Sequence, residues 1–225
     1  MIVETLLKKQ PKGLPFWIGG FSGGAMISYE VCRQLSAVGY AVDGLLLVDM
    51  CSPRTENVLV KTDLGLAMFD AISRQDKSGV WSMTGNTNRH LQALFAAVAA
   101  YNPPPLEKGE RPPAKRTAVI WAQKGIIRRA AGGPELFRVL EEEKIPSEAY
   151  PGFMEDPRLG AVGWSLAHKT SADLGPNGWD KYVGKDAIIC SSIDGDYLDL
   201  PTPGFVHLLG EHIDRAFDHF RGLVE

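Results

Sequence analysis

The chain has 225 residues, 44% of them hydrophobic and 23% charged, which is the composition of a globular domain and excludes a collagen-like or disordered chain. Twenty-four Lys and Arg against 27 Asp and Glu leave a net charge of −3, so no basic surface for nucleic acid or an anionic membrane is expected. Three scattered cysteines, Cys32, Cys51 and Cys190, cannot make a complete disulfide framework and have no CxxC spacing. There is no apolar stretch of spanning length, and Lys8, Lys9 and Lys12 follow a short apolar run rather than precede it as in a signal peptide. A cytoplasmic protein in a reducing compartment is the expectation.

Phe16-Trp17-Ile18 reads as a short strand running into Gly19-Gly20. Ala25 to Val38 has Ile27, Val31, Leu35 and Val38 at helical spacing, and Gly39 stops it. Gly44 to Val48 is apolar on both faces, as a central parallel strand is. Strand, helix and strand this close predict one βαβ unit. Thr62 to Ile72 and His90 to Tyr101 read as helices separated by a polar loop, Ser78 to Asn88, with a Pro-rich connector from Pro103 to Pro113. Residues 52–113 are therefore expected to form a helical lid inserted into a single domain of residues 1–225. Thr117 to Ala122 is the next strand and Pro134 to Lys144 a helix with proline at its start. Tyr150 to Gly184 reads as an irregular loop, Ala187 to Ile193 as the last strand, and Phe205 to Phe220 as the closing helix.

Gly20-Phe21-Ser22-Gly23-Gly24 fits G-x-S-x-G. The pattern is weak alone, but here it leaves a predicted strand and opens a predicted helix. Such a turn needs small neighbours, which Gly20 and Gly24 supply, and it lifts the Ser22 hydroxyl above the sheet. The Gly23 amide would then donate to a developing oxyanion. Asp49 directly follows the Gly44–Val48 strand, at the same sheet edge as Ser22, which makes it the candidate acid. After the following strand come Gln123 and Lys124, so no acid is available there. No His, Cys, Asp or Glu group has metal-ligand spacing, and no metal is predicted.

Gly19 to Ala25, the helix Tyr29 to Leu35, Leu46-Leu47-Val48-Asp49, His90, Tyr101-Asn102-Pro103-Pro104-Pro105-Leu106 and Asp173 to Asp180 (Asp-Leu-Gly-Pro-Asn-Gly-Trp-Asp) together resemble the type I thioesterase domains of fungal polyketide synthases. The resemblance covers nearly the whole chain, and Leu174 to Asp180 is its most specific part. It implies an α/β-hydrolase-like fold, a mostly parallel sheet with a helical lid. Ser22 is then the nucleophile and Asp49 the orienting acid. The acyl chain arrives on the phosphopantetheine of an acyl carrier protein, within the parent synthase, and leaves by hydrolysis, lactonisation or Claisen cyclisation. No further cofactor is implied.

Two departures bear on that expectation. The family's catalytic histidine follows the last strand, where this chain reads Asp194-Gly195-Asp196-Tyr197-Leu198-Asp199, with Tyr197 in the histidine's place. A phenol of pKa about 10 is a poor base at neutral pH. Secondly, only fifteen residues precede Phe16, where the family has several strands and a second oxyanion donor. A sheet incomplete on its N-terminal side is expected, in a fragment, a truncated product or a chain completed by a partner. His207 is the nearest substitute base, although the helical wheel groups it with Glu211, Asp214 and Asp218, opposite the apolar face. His90 and His168 are weaker candidates, and His212 and His219 read as structural. Met68, Phe69, Trp81, Leu94, Phe95 and Tyr101 either line an acyl pocket or pack the lid helices together. Lys8, Lys9 and Lys12 either meet an acidic carrier protein or are solvated. The expected function is a serine thioesterase. The alternatives are a catalytically impaired domain that still binds acyl chain or carrier protein, and a carboxylester hydrolase of small esters.

Overall fold

The computed structural model describes residues 2–10, 13–53, 85–125, 171 and 174–224. Four strands, β1 (Phe16–Phe21), β2 (Val42–Val48), β3 (Arg116–Lys124) and β4 (Ile188–Asp196), form one sheet in the order β1-β2-β3-β4. All three neighbouring pairs are parallel. The helices are α1 (Ile2–Lys9), α2 (Gly23–Ala37), α3 (Gly85–Ala100), the single turn α4 (Asp180–Val183) and α5 (Val206–Arg221).

The period-2 geometry of the central strands divides the interior in two. Leu45, Leu47, Val119 and Trp121 point to one face and pack with Ala25, Met26, Tyr29, Cys32 and Leu35 of α2. Leu46, Val48, Ala118, Ile120 and Ala122 point to the other and pack with Ala216 and Phe220 of α5. A parallel sheet must be covered on both faces, and that demand explains the continuous apolar runs of β2 and β3. α5 turns Leu209, Ile213 and Phe217 inward as its spacing predicts.

The elements differ from the sequence expectations at several places. α1 was not anticipated; Val3, Leu6 and Leu7 pack against the α2 core, so the segment ahead of the lysines is amphipathic. The loop expected over Ser78 to Asn88 ends earlier, because α3 begins at Gly85. The irregular segment before β4 contains the turn α4 and a 3₁₀ turn at Lys185–Ala187. The helices expected at 62–72 and 134–144, and Met68, Phe69, Trp81 and His168, lie outside the described residues. No described helix is long and apolar enough to cross a membrane.

Candidate active site

β1 ends at Phe21 and α2 starts at Gly23, so the chain reverses within one residue. Ser22 takes φ 55°, ψ −132°, a backbone state that costs a non-glycine residue about 1–3 kcal/mol. Its amide donates to the Val48 carbonyl at 2.8 Å and its carbonyl accepts from Ala25 N at 2.8 Å, so the strained residue is held from both sides. A Cβ at position 20 would collide with the Gly24 carbonyl, which is why glycine stands there. At Gly24 a Cβ would meet nothing within 4 Å, so the room attributed to both flanking glycines is needed at Gly20 alone.

The Ser22 side chain makes no helix-capping bond. Its hydroxyl instead lies near the phenol of Tyr197. Gly23 is the first residue of α2, so its amide lies outside the helical ladder, at the positive end of the helix dipole. Leu94 of α3 lies over this residue, 2.8 Å from where a Gly23 Cβ would be. Leu94, expected either to line an acyl pocket or to pack helices together, therefore lies against the start of α2.

β1 and β2 run in register up to Phe21 and Val48, which brings Ser22 and Asp49 side by side one step beyond. Asp49 is 1% exposed with φ 46°. Its amide donates to the Ile120 carbonyl at 2.8 Å, and its Oδ1 accepts from the Ala122 amide at 3.1 Å. Tyr197 follows β4 and is 5% exposed. Asp196 Oδ1 accepts from the amides of Leu198 (2.9 Å) and Asp199 (3.1 Å), and Asp199 Oδ2 accepts from the Asp196 amide at 3.0 Å. That turn aims the ring at Phe21, on which it stacks with centroids 4.7 Å apart. Burial pushes the phenol well above its ordinary pKa; the Asp49 charge adds to this and the nearby Ser22 hydroxyl opposes it. The tyrosine is therefore a neutral hydroxyl at physiological pH.

His207 stands exposed in the first turn of α5 and makes no hydrogen bond or ion pair with Ser22 or Asp49 among the described residues. His90 is exposed on α3. The His219 ring lies between the carbonyls of Val224 (3.2 Å) and Ala187 (3.3 Å), a bridge between the end of α5 and the start of β4. Among the described residues no group of His, Cys, Asp and Glu could hold a metal ion.

The chain just past α3 is tied down beside the serine turn. The Tyr101 hydroxyl, just past α3, donates to Glu30 Oε2 at 2.6 Å, and Arg33 donates to the same oxygen at 2.8 Å. Gln34 donates to Oε1 at 3.0 Å. Burial alone would raise the Glu30 pKa, but the Tyr101, Gln34 and Arg33 hydrogen bonds outweigh it and hold the carboxyl below its usual range. Sequence reasoning missed this role of Glu30, because an acid followed three residues on by Arg reads as an ordinary exposed helix pair.

The parallel sheet covered on both faces and the strained serine turn between β1 and α2 define an α/β-hydrolase-like protein. The thioesterase-domain family model matches residues 1–102. Across 98% of its length the chain is 62% identical to the non-reducing polyketide synthase rdc1 of Metacordyceps chlamydosporia, spanning 11% of that protein. It is 59% identical to rads2 of Floropilus chiversii over its full length (11% of that protein) and 57% identical to ZEA1 of Gibberella zeae over 97% (10%). The chain thus spans about a tenth of the length of these curated relatives. Two solved structures share the fold at low identity. One is a four-domain nonribosomal peptide synthetase, AB3403, bound to AMP and glycine (TM-score 0.55, 18% identical, 95% of this chain and 15% of that one). The other is the NocB thioesterase domain in covalent complex with a fluorophosphonate nocardicin G analogue (TM-score 0.52, 19%, 96% and 71%). Residues 1–102 thus match the thioesterase domain, and nearly the whole chain is similar to a stretch of fungal non-reducing polyketide synthases.

Proposed function

We propose that this domain accepts a polyketide acyl chain from the phosphopantetheine thioester of an acyl carrier protein onto Ser22 and releases it from the parent synthase by hydrolysis or cyclisation. One observation carries the reading. A serine forced into positive φ between strand and helix keeps its hydroxyl off the helix cap, beside a buried aspartate on the next strand. Ser22 is the nucleophile, the Gly23 amide the oxyanion donor and Asp49 the acid that orients the base. His207 is the base candidate on the segment that follows Tyr197. No cofactor is required beyond the arm that carries the substrate, and residues 52–113 serve as the lid of a single domain.

A second reading is favoured by a particular contact. The group nearest Ser22 at the histidine's place is a neutral phenol, which does not take up the serine proton as an imidazole does. On this reading the domain binds and acylates but turns over slowly. Intact-protein mass spectrometry after incubation with a phosphopantetheine-like acyl thioester tests the shared core of both. A single acyl adduct that maps to Ser22 and vanishes in Ser22→Ala is expected; no adduct, or one elsewhere, contradicts it.

A further inference from the structure

The segment Leu174 to Asp180 is the most family-specific stretch of the sequence, yet it supplies no residue to the chemistry above. Its surroundings give it one. The buried Trp179 indole donates to the Met50 carbonyl at 2.8 Å, one residue past Asp49. Ser52 Oγ donates to the Asn177 carbonyl at 3.0 Å. The Trp121 indole donates to the Gly175 carbonyl at 2.9 Å, and Trp121 precedes Ala122, whose amide holds the Asp49 carboxylate. Asn177 and Gly178 both have positive φ, 48° and 84°, and a Cβ at Gly178 would collide with Ser52 Oγ. The turn thus presses directly against the loop that leaves β2.

From this juxtaposition we infer that residues 174–180 form a clamp that positions the acid, with Trp179 as its principal positioning residue. Asp49 sits at a left-handed backbone position, where the direction of its carboxylate depends on how the chain continues. Within three residues on its far side the chain is tied twice to the clamp, at Met50 and Ser52. On its near side β3 is tied to the same clamp through Trp121. Removing one tie lets the loop re-aim the carboxylate without opening the core, because the Trp179 ring also packs edge-to-face on Tyr29 (5.4 Å) and Tyr182 (6.3 Å).

The inference rests on the proposed roles of Ser22 and Asp49, and its test separates the two. Trp179→Phe keeps an aromatic ring and deletes the donor. The rate of Ser22 acylation by the acyl thioester is measured in the native chain, Trp179→Phe, Asp49→Asn and the double variant. If Trp179 acts through Asp49, Trp179→Phe slows acylation about tenfold in the native background, the equivalent of one hydrogen bond, and by less than about twofold when Asp49 is already Asn. A merely structural role gives the same loss in both backgrounds and overturns the inference, as does an unchanged rate. Ser52→Ala, a milder cut at the second tie, gives a smaller loss with the same dependence on Asp49 and covers the case in which Trp179→Phe does not fold. Absence of any Ser22 adduct in the native chain defeats the proposed function instead.

Discussion

Ser22 and Tyr197 meet as two hydroxyls, and the chemistry turns on which of them can move a proton. Serine needs an acceptor before it attacks, and a positioned base is worth about 10²–10⁴-fold. The Tyr197 phenol, with its pKa raised by burial, donates or accepts a hydrogen bond but takes no proton at neutral pH. The Asp196–Asp199 turn would present any residue at 197 to Ser22, so Tyr197→His is expected to raise acyl release about 10²-fold or more. An unchanged release rate in that variant contradicts the placement. His207→Ala, at an exposed position, separates the two readings: a release rate within about twofold of the native one removes His207 as the base and favours the slow-turnover reading. A large loss would make His207 the working base. The Tyr197 position was legible in the sequence through the resemblance; its nearness to Ser22 and its stack on Phe21 were not, since both depend on where the sheet brings distant side chains.

At the scale of elements, the site is roofed by α3, which lays Leu94 over Gly23 and packs Leu91 and Val98 on the core, while Tyr101 just past its end bonds Glu30. Tyr101→Phe removes the hydroxyl that bonds the Glu30 carboxylate. Hydrogen bonds to charged groups are worth more than neutral ones, but Glu30 is partly exposed and solvent screens it, so about 1 kcal/mol is the expected loss. Hydrogen exchange is expected to rise over Gly85–Ala100 and not over β2 or β3; a uniform rise would contradict a local anchor. Most elements were readable because their signals are local. β2 and β3 are apolar on both faces, α2 is periodic and is followed by Gly39 with φ 83°, and α5 carries a clean stripe. The start of α3 was not, because Gly85-Asn86-Thr87-Asn88 are poor helix formers and read as loop. The clamp was legible as a motif but not as a device, because its bonds join residues 125 and 129 positions apart.

Over the whole molecule, burial leaves several weak acids protonated. Tyr29, Tyr101 and Tyr197 are all shifted upward, chiefly by desolvation, and the thiols of Cys190 and Cys32 are pushed up to about 11 and about 12. Each group has a higher pKa folded than unfolded. Its contribution to stability is therefore complete below the unfolded value and is lost as pH climbs through the folded one. Stability against denaturant is expected to hold through neutral pH, to begin falling above the ordinary thiol value of 9.0, and to fall more steeply above the ordinary tyrosine value of 10.0. A profile flat into strong alkali would contradict the burial of these rings. The account of the molecule as an acyl-serine protein is tested most directly by pre-steady-state release of thiol from an acyl thioester. A burst of one thiol per chain followed by slow turnover, with the burst absent in Ser22→Ala, is the predicted result. Linear release with no burst and no Ser22 adduct would contradict it.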